Sequence, residues 1–179
     1  MMTNFRHQPP LLAFIGRSGV GKTTLLQKVI PLLTAKGLSL MVIKHSHHNI
    51  DIDMPHKDSY RLRQAGAQKT VILGQRRWAL ISEEVEAISL SELLPQLPLA
   101  HTDLILLEGF KHDNVANIVL SRQGFIDRLP SLVSTKTLAI ASDNGIKIDR
   151  LPILSINDPN EIGLFIQNWI KHLTHQNSA

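Results

Sequence analysis

The residues Gly16-Arg17-Ser18-Gly19-Val20-Gly21-Lys22-Thr23 fit the spacing G-x-x-x-x-G-K-[ST]. The chemistry of phosphate binding explains each type. Glycines let the backbone curl so that successive N–H groups point at phosphate oxygens. A helix that starts inside the motif adds its partial positive charge. Lys22 reaches the β- and γ-phosphates, and the Thr23 hydroxyl is a ligand for Mg²⁺. The predicted phosphate-binding set is Gly16, Ser18, Gly19, Val20, Gly21, Lys22, Thr23 and Thr24. Arg17 reads as an exposed loop residue or a further phosphate contact. Residues 1–50 carry Arg6, Arg17, Lys22, Lys28, Lys36 and Lys44 and no carboxylate; Asp51 is the first acid. A carboxylate there would repel a triphosphate.

A nucleoside triphosphate site also needs an acid to hold Mg²⁺ or its waters, at the end of a neighbouring strand. Asp103 and Glu108 compete for that role within DLILLEG. They are separated by roughly 16 Å along a strand, so only one lies near the loop. Glu108 follows four apolar residues and precedes Gly109, which places it at the C-terminal end, and it is the predicted metal-shell acid. Asp103 is then a strand-entry residue. Asp53 is the predicted second acid around Mg²⁺.

Lys44-His45-Ser46-His47-His48 follows another apolar run, with Asp51 and Asp53 beyond it. Imidazoles with carboxylates suit zinc or nickel. The same segment also reads as a phosphate- or pterin-contacting loop that moves with nucleotide state, or as a structural polar loop. Lys44, His45, His47, His48 and Lys111 form this candidate pterin or switch group. The Asn-Lys-x-Asp tetrad that commonly reads guanine is absent. Ser142-Asp143-Asn144 occupies the corresponding place in chain order. Asp143 is a candidate acceptor for the guanine N1 and N2 donors, with Asn144 assisting; an ordinary Asp/Asn/Gly turn is the alternative.

Elements must carry these residues to one place. LLAFI (11–15) reads as a strand buried on both faces, followed by an amphipathic helix through Leu25, Leu26, Val29, Leu32 and Leu33. Pro31 predicts a kink and Gly37 a stop. Further strands are expected at 38–44, 103–109, 116–122, 136–142 and 151–156, and a short helix at 58–67. The runs at 70–74 and 77–82 predict a hairpin, an antiparallel portion at one sheet edge, and SLSELLPQL a short helix. Asp158, Pro159 and Glu161 mark the start of the last helix. The alternation predicts α/β architecture, a mainly parallel sheet flanked by helices.

At 179 residues, the length implies about one domain. The expectation is a single nucleotide-binding domain over 1–179, with 1–10 an extended lead-in. The chain has no cysteine, which excludes disulfide scaffolds and thiolate metal sites. No apolar run approaches the ~18 residues of a membrane span, and the N-terminus lacks a secretory pattern. The expected location is the cytoplasm.

The phosphate loop, the KHSHH segment, KDSYRLRQAGA and DLILLEGFK, in this order, resemble the molybdopterin-guanine dinucleotide biosynthesis adapter proteins (MobB), of the P-loop NTPase fold and GTPase class. Lys44-His45-x-His47-His48, Lys57-Asp58-Ser59-Tyr60 and Glu108-Gly109-Phe110-Lys111 are the particular elements. The resemblance is strong from about Leu11 to Arg122 and looser beyond. It implies a homodimer that binds GTP with Mg²⁺, hydrolyses it slowly, and assists the molybdenum cofactor guanylyltransferase, with molybdopterin a further ligand. One departure stands out: the family often has glycine before the Lys-Asp pair, where this chain has His56.

Three functions compete. A GTP-binding adapter fits a site with cradle and metal parts but no evident water-positioning Gln or arginine finger in the sequence. A P-loop small-molecule kinase acting on a pterin or other acceptor would draw its acceptor site and base from the histidine segment. Catalytic residues are not identified by the sequence. A nucleic-acid module is suggested by the basic pI of about 9.6. With two Trp, one Tyr and five Phe, the chain has no basic-aromatic strip of the usual kinds, so no nucleic-acid partner is expected.

Overall fold

A computed structural model describes residues 8–46, 52–123, 129–143, 145–148 and 150–176. The chain forms two compact units, one from residues 1–45 with 99–179, the other from 46–98.

The larger unit is built on a six-stranded parallel sheet. Its strands are β1 (Leu11–Ile15), β2 (Leu40–Lys44), β5 (Leu104–Glu108), β6 (Asn117–Ser121), β7 (Thr137–Ser142) and β8 (Ile153–Ser155). They lie in the order β2-β5-β1-β6-β7-β8. β1 is thus central, with β5 and β6 as its neighbours. Phe14 pairs in register with Glu108 and Ile118, and Lys44 pairs with Glu108. β5 and β6 are buried along their whole length, as expected of apolar strands covered on both faces.

Helices α1 (Lys22–Thr34) and α4 (Pro159–Gln176) pack on one face. Leu25, Leu26, Val29 and Leu33 of α1 and Ile162 and Ile166 of α4 meet Leu12, Phe14, Leu104, Leu106, Ile118 and Leu120. These strand residues alternate, as side chains on one sheet face must. Pro31 sits inside α1, which continues through it to Thr34. Past the helix, Gly37 takes φ +85°, Gly37 N donates to Thr34 O and Leu38 N to Leu33 O, a Schellman stop. The last helix starts as expected: Asp158 Oδ1 accepts from Asn160 N at 2.9 Å. Glu161 departs from a simple capping box and accepts from Ser155 N at 2.7 Å, tying the helix to β8.

The smaller unit holds α2 (Asp58–Gln64), the strands β3 (Lys69–Leu73) and β4 (Trp78–Ser82), and α3 (Leu90–Leu93) with a 3₁₀ turn after it. The expected hairpin is present as a two-stranded sheet of its own and not as an edge of the main sheet. Its pairing sets Val71 opposite Leu80 and Leu73 opposite Trp78, so these four share one face, and all four are exposed. α3 begins with a complete Ser89–Glu92 capping box.

Among the described residues, no helix is long and apolar enough to cross a membrane.

Candidate functional site

The glycine-rich loop leaves the C-terminal end of β1 and enters α1 at Gly21, whose φ of +103° is the left-handed region. Gly16 is needed for closeness: a Cβ there would stand 2.8 Å from Leu120 O, a backbone atom of β6. Val20 points inward and joins the core, anchoring the loop from beneath. Ser18, Gly19, Thr23 and Thr24 are exposed, as is Arg17.

Lys22 arches back over the loop. Its Nζ donates to Gly16 O at 2.9 Å and Arg17 O at 3.0 Å. The loop is therefore held curled by its own lysine. Burial pushes the Lys22 ammonium below its ordinary pKa; the nearby Glu108 carboxylate opposes that shift and Lys44 adds to it.

Glu108 ends β5, buried to 9% exposure. Its Oε1 accepts from Thr23 Oγ1 at 2.5 Å, and Lys44 Nζ lies 3.9 Å away. The structure thus brings Lys22, Thr23, Glu108 and Lys44 together at the C-terminal ends of three adjacent strands. Thr23 and Glu108 offer two hard oxygen donors side by side. That donor set fits Mg²⁺, which takes one or two protein oxygens and fills the rest of its octahedron with phosphate and water. Asp103 lies at the opposite end of β5, as expected for a strand-entry residue. Its carboxylate accepts from Ser39 N at 2.7 Å and its own N–H donates to Ser39 O at 2.8 Å, fastening the start of β2.

Of the histidine segment, His45 stacks obliquely on Phe110, with ring centroids 5.4 Å apart. Lys111 is exposed one residue beyond. His47, His48 and Asn144 lie outside the described residues. Among the described residues there is no cluster of three or more His, Cys, Asp or Glu that could hold a metal. Asp53 belongs to the smaller unit. Its Oδ2 is buried 3.8 Å from Arg63 Nε, and Arg63 also pairs with Glu83 and lies over the Tyr60 ring. His56 adopts φ +77°, the left-handed region where glycine is at ease.

Asp143 follows β7 and is held by Arg122, whose Nη1 donates to Asp143 Oδ2 at 2.6 Å. Arg122 also donates to Val20 O of the loop, through Nε at 3.2 Å, and to Asn157 Oδ1 at 3.1 Å. Sequence reasoning did not single out Arg122. The signal was available: it is the first residue past the C-terminal end of β6, the same position relative to its strand that marks site residues elsewhere in open α/β sheets.

The family model for molybdopterin guanine dinucleotide synthesis protein B (MobB) matches residues 11–143. The chain is 46% identical over 165 residues to the molybdopterin-guanine dinucleotide biosynthesis adapter protein of Escherichia coli (strain K12), covering 90% of this chain and 94% of that one. It is 42% identical over 166 residues to the protein of the same name from Haemophilus influenzae, covering 93% and 92%. A crystal structure of Bacillus subtilis MobB superposes with a TM-score of 0.72 at 27% identity, covering 88% of this chain and 96% of that one. Both curated relatives carry the adapter name, which does not favour the kinase alternative.

Proposed function

We propose that this chain, which belongs to the MobB family, is a GTP-binding adapter in molybdopterin guanine dinucleotide biosynthesis. The observation that carries the reading is the pairing of Thr23 with Glu108 beside the lysine-curled loop. Loop N–H groups and Lys22 take the β- and γ-phosphates. Mg²⁺, when bound, neutralises charge on the same phosphates, held by Thr23 and Glu108. Asp143 reads the guanine. Lys44, His45 and Lys111 flank the γ-phosphate end and respond to its presence, with a pterin phosphate as a second anion for this basic rim. Slow hydrolysis then acts as a timer on the surface shown to a partner.

The partner in this reading is the guanylyltransferase that joins GMP to molybdopterin, and the setting is the cytoplasm. The protein acts as a homodimer.

Calorimetry with GTP, ATP and molybdopterin, with and without Mg²⁺, tests the reading. Mg²⁺-dependent binding that favours GTP is expected. Lys22→Ala should weaken GTP at least ~10-fold, as expected on removing a charge-assisted hydrogen bond, and leave the melting temperature nearly unchanged. Equal GTP affinity in that variant, or phosphate transfer from GTP to the pterin, would overturn the proposal.

A further inference from the structure

One guanidinium joins three loops at the C-terminal end of the main sheet. Arg122 Nε–H serves the Val20 carbonyl within the phosphate loop. The two Nη1 hydrogens serve Asp143 after β7 and Asn157 after β8. A Cβ on Gly21 would lie 3.9 Å from both Arg122 Nε and Nη2, so the guanidinium rests beside the N-cap residue of α1. Gln123 N also donates to Asp143 Oδ1, at 3.3 Å. The Asp143 carboxylate is therefore fixed in place by Arg122 and its neighbour.

A carboxylate that discriminates guanine must present its oxygens at a set distance and angle from the phosphate cradle, because the nucleotide spans both. Arg122 is the side chain that bonds to both. Its planar fork suits this: three donor hydrogens point to three acceptors in a fixed geometry, which a lysine cannot reproduce. Each carboxylate oxygen has two lone pairs, so Asp143 can keep Arg122 while accepting from the base.

We propose that Arg122 is the positioning residue for nucleotide selection, setting the Asp143 carboxylate at a fixed place relative to the phosphate loop. This rests on the GTP-binding reading above. Arg122 touches the Val20 carbonyl, the Asp143 carboxylate and the Asn157 side-chain amide, and it acts on the base through Asp143. It therefore governs the preference for GTP over ATP more than the grip on the phosphates.

The test compares Mg²⁺-dependent binding of GTP, ATP and inorganic tripolyphosphate to wild type, Arg122→Ala, Arg122→Lys, Asp143→Asn and the Arg122→Ala/Asp143→Asn double variant. In Arg122→Ala, GTP affinity should fall ~10-fold or more, as for loss of a charge-assisted contact. Tripolyphosphate affinity should fall less, by about 3-fold at most, because Lys22 still ties the loop through Gly16 O and Arg17 O when the bond to Val20 O is lost. Arg122→Lys should recover only part of the loss. The double variant should lose little beyond the worse single one, because both changes remove the same fixed carboxylate. Equal losses for GTP and tripolyphosphate would mean that Arg122 supports the loop alone and would overturn the proposal. So would a GTP preference that survives Arg122→Ala. A wild type that binds ATP as well as GTP would overturn the GTP reading itself, and the role of Arg122 in selection with it.

Discussion

Gly16→Ala isolates the closeness between the phosphate loop and β6. The added Cβ would stand 2.8 Å from Leu120 O and 3.0 Å from Val20 Cγ1. Close C···O contacts between strands run at about 3.3 Å, so the methyl is short of room by roughly 0.5 Å. Leu120 O belongs to a buried central strand in register with β1, and Val20 is locked in the core. Neither can retreat without moving the sheet or the loop. Overpacking of this kind costs about 1–3 kcal/mol. For a chain of this size, that lowers the melting temperature by roughly 2–4 °C per kcal/mol. The loop is the softer partner and moves first, which spoils the aim of its N–H groups. Affinity for Mg·GTP should then fall by roughly 10-fold or more, since charge-assisted hydrogen bonds carry about 1.5–3 kcal/mol each. Scanning calorimetry without ligand and titration with Mg·GTP read the two effects separately. A variant that melts within a degree of wild type and binds equally well would refute the argument that the loop is wedged against β6.

His56→Gly should stabilise the chain. It relieves a left-handed backbone that costs a side-chain-bearing residue about 1–2 kcal/mol, offset by about 0.5–1 kcal/mol of extra unfolded-state entropy. A small rise in the urea midpoint is expected, and a fall would show that the His56 side chain itself holds the turn. The Glu92 carboxyl titrates below its ordinary range because the Ser89 hydroxyl and backbone N–H both donate to it. Its cap therefore contributes above the ordinary carboxylate pKa and is lost as pH falls through the lowered value. NMR titration should show the Glu92 pKa rising toward the ordinary range in Ser89→Ala, and no rise would discard the cap as its cause.

The strand–loop–helix setting of Gly16–Thr23 was legible because the motif lies within eight consecutive residues, bounded by an apolar strand and an amphipathic helix. Glu108 and Asp103 were legible for a related reason: strand direction alone decides which end of DLILLEG faces the loop, and the sheet places both as expected. The hairpin could be read from its two β-rich runs, but not its separateness, because pairing with a sheet edge is a non-local choice. Arg122 escaped notice because a lone arginine carries no motif. Its three acceptors come from residues 20, 143 and 157, which only the fold makes neighbours. The Asp53–Arg63 pair was hidden in the same way: the reading of Asp53 considered which loop it occupied, and not the helix that follows.

The pairing of Glu108 with both Phe14 and Lys44 makes β5 a ruler for the site. Side chains alternate along a strand, so a one-residue slip would turn the carboxylate to the opposite face and bring an aliphatic neighbour under Thr23. Substitution can tune such a strand, but insertion or deletion within residues 104–108 cannot be absorbed by adjusting a rotamer. The Asp103–Ser39 clip at one end and the Thr23 contact at the other fix its length from both sides. Anyone redesigning this scaffold must keep β5 residue for residue in count.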